Sequence, residues 1–468
     1  MATSELSPQT IRQLDELVAH EQVDGKLPTL VLGLVREGEL RWVGERGTTG
    51  LPDGGGAAVD RQYRIGSISK TFVAVAVMRL RDEGALGLND LVGTHLSELA
   101  DLPVTIAQLL SHTSGLPAET AGEWWERVPG AAFGELLAGT LRPDRLLWRP
   151  GRRFHYSNVG YAVLGELVAR NRSQSFWDFV GETLWEPLGM RHTSCRPVAP
   201  FVQGFAVHPH NATVLVEPEH DAMAMAPAGQ LWSTLEDLGR WAGLLCGCRP
   251  DLLPVDTLSE MAEPIGVSDV PDQPWTSAYG LGLQQWNENG RRLYGHLGAM
   301  PGHWAALLVE RGTKDAVVAV ANSTYRGMRV PFFQEALAVF GQASPAVDAW
   351  ATSAASADPL LTELVGTWYW GPVEARVSVS PSGKLEIRGV HGTGRDCDFV
   401  ARGNGTFIGE YGYYEGERLT PHRGADGSIT HLDIASFVYT RAPYEPADVV
   451  PGGVDPRGWL DTWPPKQD

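Results

Sequence analysis

Apolar residues return at helical spacing near the start of the chain. Ile11, Leu14, Leu17 and Val18 predict an amphipathic helix over residues 8–22. The stretch TLVLGLVREGELRWVG (29–44) then reads as two strands folded back at Glu37-Gly38. Residues 67–83, SISKTFVAVAVMRLRDE, predict a helix that ends before Gly84. It is apolar on most sides, the pattern of a helix buried in the middle of a domain. Further helices are predicted over 105–111, 159–170 and 234–246. From 279 the pattern turns to strands: YGLGLQQW, RRLYGHLG, HWAALLVE and DAVVAVANS, followed by a helix at 331–340. Strands at both ends with helices between imply one α+β domain whose sheet combines the first and last segments.

Beyond residue 341 the pattern changes. The stretch 342–359 is rich in Ala, Ser and Pro without periodicity and reads as a linker. VSVSPSGKLEIR then alternates apolar and polar positions around a Pro-Ser-Gly turn, and GTFIGEYGYY and ITHLDIASFVYTR continue in that style. The expected organisation is an α+β domain over 1–341, a linker over 342–359, a small all-β barrel over 360–445 and a tail over 446–468. A chain of 468 residues is also too long for one compact core.

The formal charge of −18 argues against nucleic acid or anionic membrane as a partner, since both demand a basic face. No apolar run reaches transmembrane length, and the N-terminus has no basic segment leading into an apolar one. The expected location is the cytoplasm. Four cysteines (Cys195, Cys246, Cys248, Cys397) show no zinc-like spacing and are expected as buried free thiols. His208-Pro-His210 lacks the partners of a metallo-hydrolase cluster, and neither His-Glu-x-x-His nor Gly-x-Ser-x-Gly occurs. No metal or other cofactor is expected. Only Lys26, Lys70, Lys314, Lys384 and Lys466 among 38 basic residues are lysine. Where arginine serves for plain charge, a lysine can mark a tunable pKa.

Lys70 lies in Arg64-Ile65-Gly66-Ser67-Ile68-Ser69-Lys70-Thr71. Ser67 and Lys70 share one helix face, and free N–H groups at the helix start favour negative charge there. A serine hydroxyl needs a base, and burial among Phe72, Val73, Val75 and Val77 lowers a lysine pKa in the needed direction. A phosphate-binding loop is excluded because that motif needs glycine where Arg64 and Ser69 stand. Two further elements carry chemistry. Tyr156-Ser157-Asn158 offers a tyrosine that a neighbouring ammonium group would push toward its anion, and an amide suited to holding Lys70 and a substrate carbonyl. In Tyr294-Gly295-His296-Leu297-Gly298-Ala299, Gly298 would admit close backbone approach. The Ala299 N–H would pair with that of Ser67 as an oxyanion hole, and His296 would bond substrate or the tyrosine.

Ser67-x-x-Lys70 and Tyr156-x-Asn158 each occur once, and with His296-x-Gly298 they follow the order of the serine β-lactamase and penicillin-binding protein family. Their spacing resembles the class C β-lactamase branch and its esterase and D-peptidase relatives. Thr105-Ile-Ala-Gln-Leu-Leu-Ser-His-Thr-Ser-Gly-Leu-Pro117 and Pro227-Ala-Gly-Gln-Leu-Trp-Ser-Thr234 strengthen the likeness, which covers about residues 8–341. The resemblance implies an antiparallel sheet flanked by helices, with a helical subdomain. It implies Ser67 as nucleophile, Lys70 with Tyr156 as proton handlers, Asn158 as a positioning residue, and the Ser67 and Ala299 amides as oxyanion hole. The third motif departs from true β-lactamases in having His296 for lysine, as do esterases, aminopeptidases and acyltransferases of this fold. That removes the cation expected to grip a drug carboxylate.

Leu364-Val-Gly-Thr-Trp-Tyr-Trp370 resembles the opening of the lipocalin-like barrel appended to several such enzymes. One subgroup with this layout is the penicillin-binding-protein-type thioesterases, which take a nonribosomal peptide from a carrier protein and close it head to tail. The resemblance implies a peptidyl substrate and a peptidyl carrier protein as partner, with Arg441 as candidate for the peptide carboxylate. Trp124, Trp125, Trp232 and Trp304 are candidate pocket walls. A cytoplasmic esterase or D-aminopeptidase using the same residues, and a non-catalytic binding module of the same fold, are the alternatives.

Overall fold

The computed structural model describes residues 6–47, 59–211, 213–327, 329–342, 359–380, 383–392 and 395–443. The chain divides into two compact units, residues 1–345 and 346–468. The linker stretch 343–358 and the tail 446–468 lie outside the described residues.

The first unit opens with α1 (Pro8–Asp24), whose start is capped by Ser7 accepting from the Thr10 N–H. β1 (Thr29–Arg36) and β2 (Glu39–Gly47) follow as a hairpin. Glu37 and Gly38 both take positive φ, 55° and 78°, as a tight two-residue turn requires. The other strands of this sheet come late in the chain: β3 (Gly266–Val267), β4 (Ser277–Tyr279), β5 (Gln284–Glu288), β6 (Arg291–Met300), β7 (His303–Glu310) and β8 (Ala316–Ala321). The spatial order is β2-β1-β8-β7-β6-β5-β4-β3, antiparallel throughout. β1 meets β8 with Val31 opposite Val320, so the first and last segments join one strand in from the β2 edge of the sheet.

The pleat sorts side chains to two faces. Val31, Val35, Leu307 and Val318 join the large core built around α2 (Ser69–Asp82), α3 (Asn158–Arg172) and α4 (Leu235–Leu245). Leu30, Leu32, Leu308 and Val317 join a second core under α1 and α5 (Val330–Gln342). Ser69 to Met78 are buried without exception, so α2 is a central helix, not a surface one. The predicted helix over 67–83 begins differently: Gly66–Ile68 form a 3₁₀ turn, and α2 starts at Ser69. The predicted strand over 279–286 is interrupted. Gly282 takes φ +85°, and a Cβ there would lie 2.0 Å from the Ala74 Cβ, so the chain turns against α2 between β4 and β5.

The second unit carries a short helix, Pro359–Leu364, and then a closed, eight-stranded antiparallel barrel. Its strands are β9 (Gly366–Trp370), β10 (Val373–Val379), β11 (Leu385–Gly389), β12 (Cys397–Ala401), β13 (Phe407–Gly409), β14 (Arg418–Arg423), β15 (Ile429–Ile434) and β16 (Phe437–Thr440). Tyr369 pairs with Thr440 to close the ring, which removes the exposed edges of an open sheet. Trp368, Leu385, Ile387, Phe399, Leu419 and Leu432 fill it. This up-and-down barrel is consistent with the lipocalin-like expectation. Among the described residues no helix is long and apolar enough to cross a membrane. All four cysteines are free, but only Cys246 and Cys397 are buried as expected; Cys195 is half-buried and Cys248 is exposed.

Candidate active site

The nucleophile turn is made by contact with β6. Gly66 takes φ +53°, and a Cβ on it would lie 2.5 Å from the Ala299 N. A Cβ on Gly298 would lie 2.0 Å from the Ile65 carbonyl oxygen and 3.2 Å from the Ser67 N. Two glycines therefore let the strand backbone press onto the turn, which brings the Ser67 and Ala299 amides to the same spot. β5 pairs with β6 only as far as Gly295. Residues 296–300 of β6 extend past that pairing, alongside Ser67.

One turn beyond Ser67, at the start of α2, the Lys70 Nζ donates to the Ser67 Oγ at 2.9 Å and to the Ala228 carbonyl at 2.6 Å. Lys70 is fully buried. Burial lowers its pKa to about 7, against the opposing pull of the Glu119 and Glu126 carboxylates. A large fraction of Lys70 is therefore neutral at neutral pH and can accept the serine proton.

Tyr156 packs against this pair. Its ring lies 5.0 Å from the Lys70 Nζ, and its phenol has a hydrogen-bonding interaction with Ser67. The expectation that a neighbouring ammonium group pushes Tyr156 toward its anion is corrected. Burial of the phenol raises its pKa and outweighs the Ser67 interaction, so Tyr156 is a neutral proton donor. His112, from the Ser-His-Thr-Ser string, lies 4.2 Å from the Tyr156 ring centre and accepts the Ser157 N–H on its Nδ1 at 3.0 Å.

His296 is also placed differently. Its Nδ1 lies 2.5 Å from the Leu297 carbonyl oxygen, which can only accept, so the proton sits on Nδ1. The Nε2 then accepts from the Tyr279 hydroxyl at 2.9 Å. Both nitrogens are used inside the protein, and the residue is 2% exposed. Burial, with Lys70 close by, lowers the His296 pKa to about 3, so the third motif carries no positive charge. Tyr156 is not its partner, and neither nitrogen is left for a substrate. Its partner is Tyr279, which the interrupted strand delivers from the end of β4.

Asn158 begins α3, where Ser157 caps the helix by accepting the Gly160 N–H. The Asn158 Nδ2 donates to the Glu119 Oε1 at 2.6 Å, and the other Glu119 oxygen accepts the Trp125 indole N–H at 2.7 Å. The Asn158 Oδ1 is buried without a partner. Asn158 is thus held by Glu119, and its expected grip on Lys70 is replaced by the Ala228 carbonyl. Tyr279, His112 and Glu119 were not singled out as site residues from sequence. Glu119 lies two positions beyond the Thr105–Pro117 string, which is the one signal that could have found it.

The tryptophans separate. Trp125 is buried beside Glu119, while Trp124 is exposed and donates to the Glu126 Oε2 at 2.9 Å. Trp232 is buried against Phe201 and His303. Trp304 packs with the core under α1 and α5, across the sheet from α2, because the pleat turns it away. It is therefore not a wall of this site. Arg441 belongs to the second unit. Its guanidinium lies 3.9 Å over the Trp368 ring and donates to the Val365 and Thr367 carbonyls at 3.0 and 3.3 Å and to the Glu363 carbonyl. A peptide carboxylate would have to compete with those contacts. Among the described residues one group could hold a metal ion, His422, His431 and Asp433 of the barrel, whose ligand atoms lie within 4.8 Å of one another.

Residues 10–339 match the family described as Beta-lactamase. The chain belongs to the beta-lactamase family. Residues 357–441 match a domain of unknown function, DUF7586. Protein flp of Staphylococcus aureus is 24% identical over 321 residues, 66% of this chain and 63% of its own length, so the chain spans less than two thirds of that relative. The octameric penicillin-binding protein homologue from Pyrococcus abyssi superposes with a TM-score of 0.63 at 20% identity, over 92% of this chain and all of that one. A D-stereospecific amidohydrolase from Streptomyces sp. superposes with a TM-score of 0.56 at 25% identity, over 72% of this chain and 99% of that one. In this beta-lactamase-family domain Ser67, Lys70 and Tyr156 come together in one cluster.

Proposed function

We propose that the protein transfers acyl groups through an ester on Ser67, with esters, thioesters or amides as substrates. The observation that carries this is the 2.9 Å contact between the Ser67 Oγ and the buried, partly neutral Lys70 Nζ. Ser67 attacks the carbonyl carbon while its proton passes to Lys70. The carbonyl oxygen becomes an oxyanion between the Ser67 and Ala299 N–H groups. The neutral Tyr156 phenol gives its proton to the leaving group as that bond breaks, and recovers one from the Lys70 ammonium. Water or an amine then attacks the acyl-serine with the proton flow reversed.

The specific form we put forward is release and head-to-tail closure of a nonribosomal peptide from a peptidyl carrier protein, in the cytoplasm. It is supported by the resemblance to penicillin-binding-protein-type thioesterases with an appended barrel. Hydrolysis of amides or esters is the second form, favoured by the likeness to the Streptomyces amidohydrolase. Incubation with a peptidyl thioester separates them. A product lighter than the substrate by the thiol means cyclisation, and that mass plus one water means hydrolysis. An unchanged thioester, with no acyl-enzyme, would refute both.

A further inference from the structure

Glu119 decides which way the Asn158 amide faces. A carboxylate only accepts, so the Nδ2 must turn to the Glu119 Oε1, 2.6 Å away. The Oδ1 then faces elsewhere, has no partner, and belongs to a residue only 8% exposed. A buried carbonyl oxygen without a donor is uncommon in folded proteins and asks for a ligand that supplies one.

The charges that act on Lys70, beside Asn158 and its partner Glu119, have one sign in excess. Glu119 and Glu126 are the two carboxylates whose fields reach Lys70. Among the described residues neither forms an ion pair, and the printed partners are neutral: Asn158 and Trp125 for Glu119, Trp124 for Glu126. Arg64 also feels Glu126 but is shared with Glu219. His296 is uncharged, with both nitrogens bonded internally. A substrate carboxylate would meet repulsion here. A primary amine, with up to three N–H donors, would meet an empty carbonyl oxygen and two carboxylates that keep spare lone pairs.

We propose that Asn158 Oδ1, Glu119 and Glu126 form a subsite for a free amino group of the substrate, so that aminoacyl or peptidyl derivatives with an unblocked primary amine are the preferred ligands. The proposal rests on Ser67 being the acylated residue. It fits either form of the reaction, since the amine belongs to the acyl group in an amidase and attacks as acceptor in a cyclase.

The test reads binding without requiring turnover. The full chain is labelled at Ser67 with a fluorophosphonate. Alaninamide and phenylalaninamide of both hands are compared with their N-acetyl forms as protecting agents. The expected result is protection by at least one free-amine amide at a concentration 10-fold or more below its N-acetyl form. That gap should shrink below 3-fold in Glu126→Gln, which leaves the Asn158–Glu119 bond intact, and again in Glu119→Gln. It should also narrow as pH rises past about 8, where an α-amino group loses its charge; a purely structural role for Glu126 would give no such pH dependence. Equal protection by both forms, no protection by any amide, or a gap that survives both substitutions would overturn the amine subsite. Failure of wild-type Ser67 to label would instead overturn the acyl-serine mechanism beneath it.

Discussion

Replacing Lys70 by methionine removes a base and a buried cation together, and the two losses have opposite signs. The pKa of Lys70 falls from 10.5 to about 7 on folding because burial penalises the ammonium form. At about 1.4 kcal/mol per pH unit, the folded chain bears about 5 kcal/mol for that burial wherever both states are protonated. The sign follows from proton counts. Between pH 7 and 10.5 the unfolded chain binds the proton that the folded chain has lost, so stability rises with pH across that window. Below pH 7 the whole penalty is present, and above 10.5 none remains. Methionine fills similar space without charge but leaves the Ala228 carbonyl unpaired, which costs about 1–3 kcal/mol. Lys70→Met should therefore be inactive yet more stable than wild type at pH 6, by about 2–4 kcal/mol. The advantage should vanish or reverse by pH 10.5. Urea unfolding at pH 6, 8 and 10 measures this. A variant no more stable than wild type at pH 6, or an advantage constant with pH, would refute the reasoning and with it the claim that Lys70 is poised as a base.

The same protonation sets activity: kcat/KM should rise with pH and reach half its plateau near pH 7, where Lys70 becomes neutral, and a profile flat from pH 5 to 9 would contradict this. Gly298→Ala places a Cβ against the Ile65 carbonyl oxygen, forcing β6 off the nucleophile turn; turnover should drop by about 10²-fold or more, the typical cost of losing an oxyanion donor, and wild-type turnover would deny Gly298 its role. Tyr279→Phe strands the buried His296 Nε2, so chemical denaturation should show a loss of about 1–3 kcal/mol, whereas unchanged stability would mean the hydrogen bond contributes nothing.

Much of the architecture could be read along the chain because period and burial agree there. The continuous apolar runs of β1, β7 and β8 are buried on both faces, α2 is buried all round, and the barrel hairpins alternate between core and surface, so each pattern matches its burial. The joining of first and last strands follows from the strand patterns at both ends of the domain with helices between them. What stayed hidden depended on contacts between distant segments. Gly282 breaks a strand because Ala74 stands behind it, and that turn is what sets Tyr279 against His296. Motif spacing placed Ser67 and Lys70 on one face, but Glu119 reaches Asn158 from a loop 39 positions earlier in the chain. Protonation was the least legible property. Tyr156 was expected to be acidified by its neighbour, and only the packing around it shows that burial dominates. Likewise Trp304 was indistinguishable from a pocket residue until the pleat assigned it to the other side of the sheet.

The central claim is that Ser67 carries the acyl group. Intact-mass spectrometry of the full chain after brief exposure to an activated ester or peptidyl thioester tests it most directly. Wild type should gain the mass of one acyl group on the peptide containing Ser67, and Ser67→Ala should gain none and lose turnover by about 10³-fold or more. An acyl group on any other residue, or full turnover by Ser67→Ala, would contradict the account.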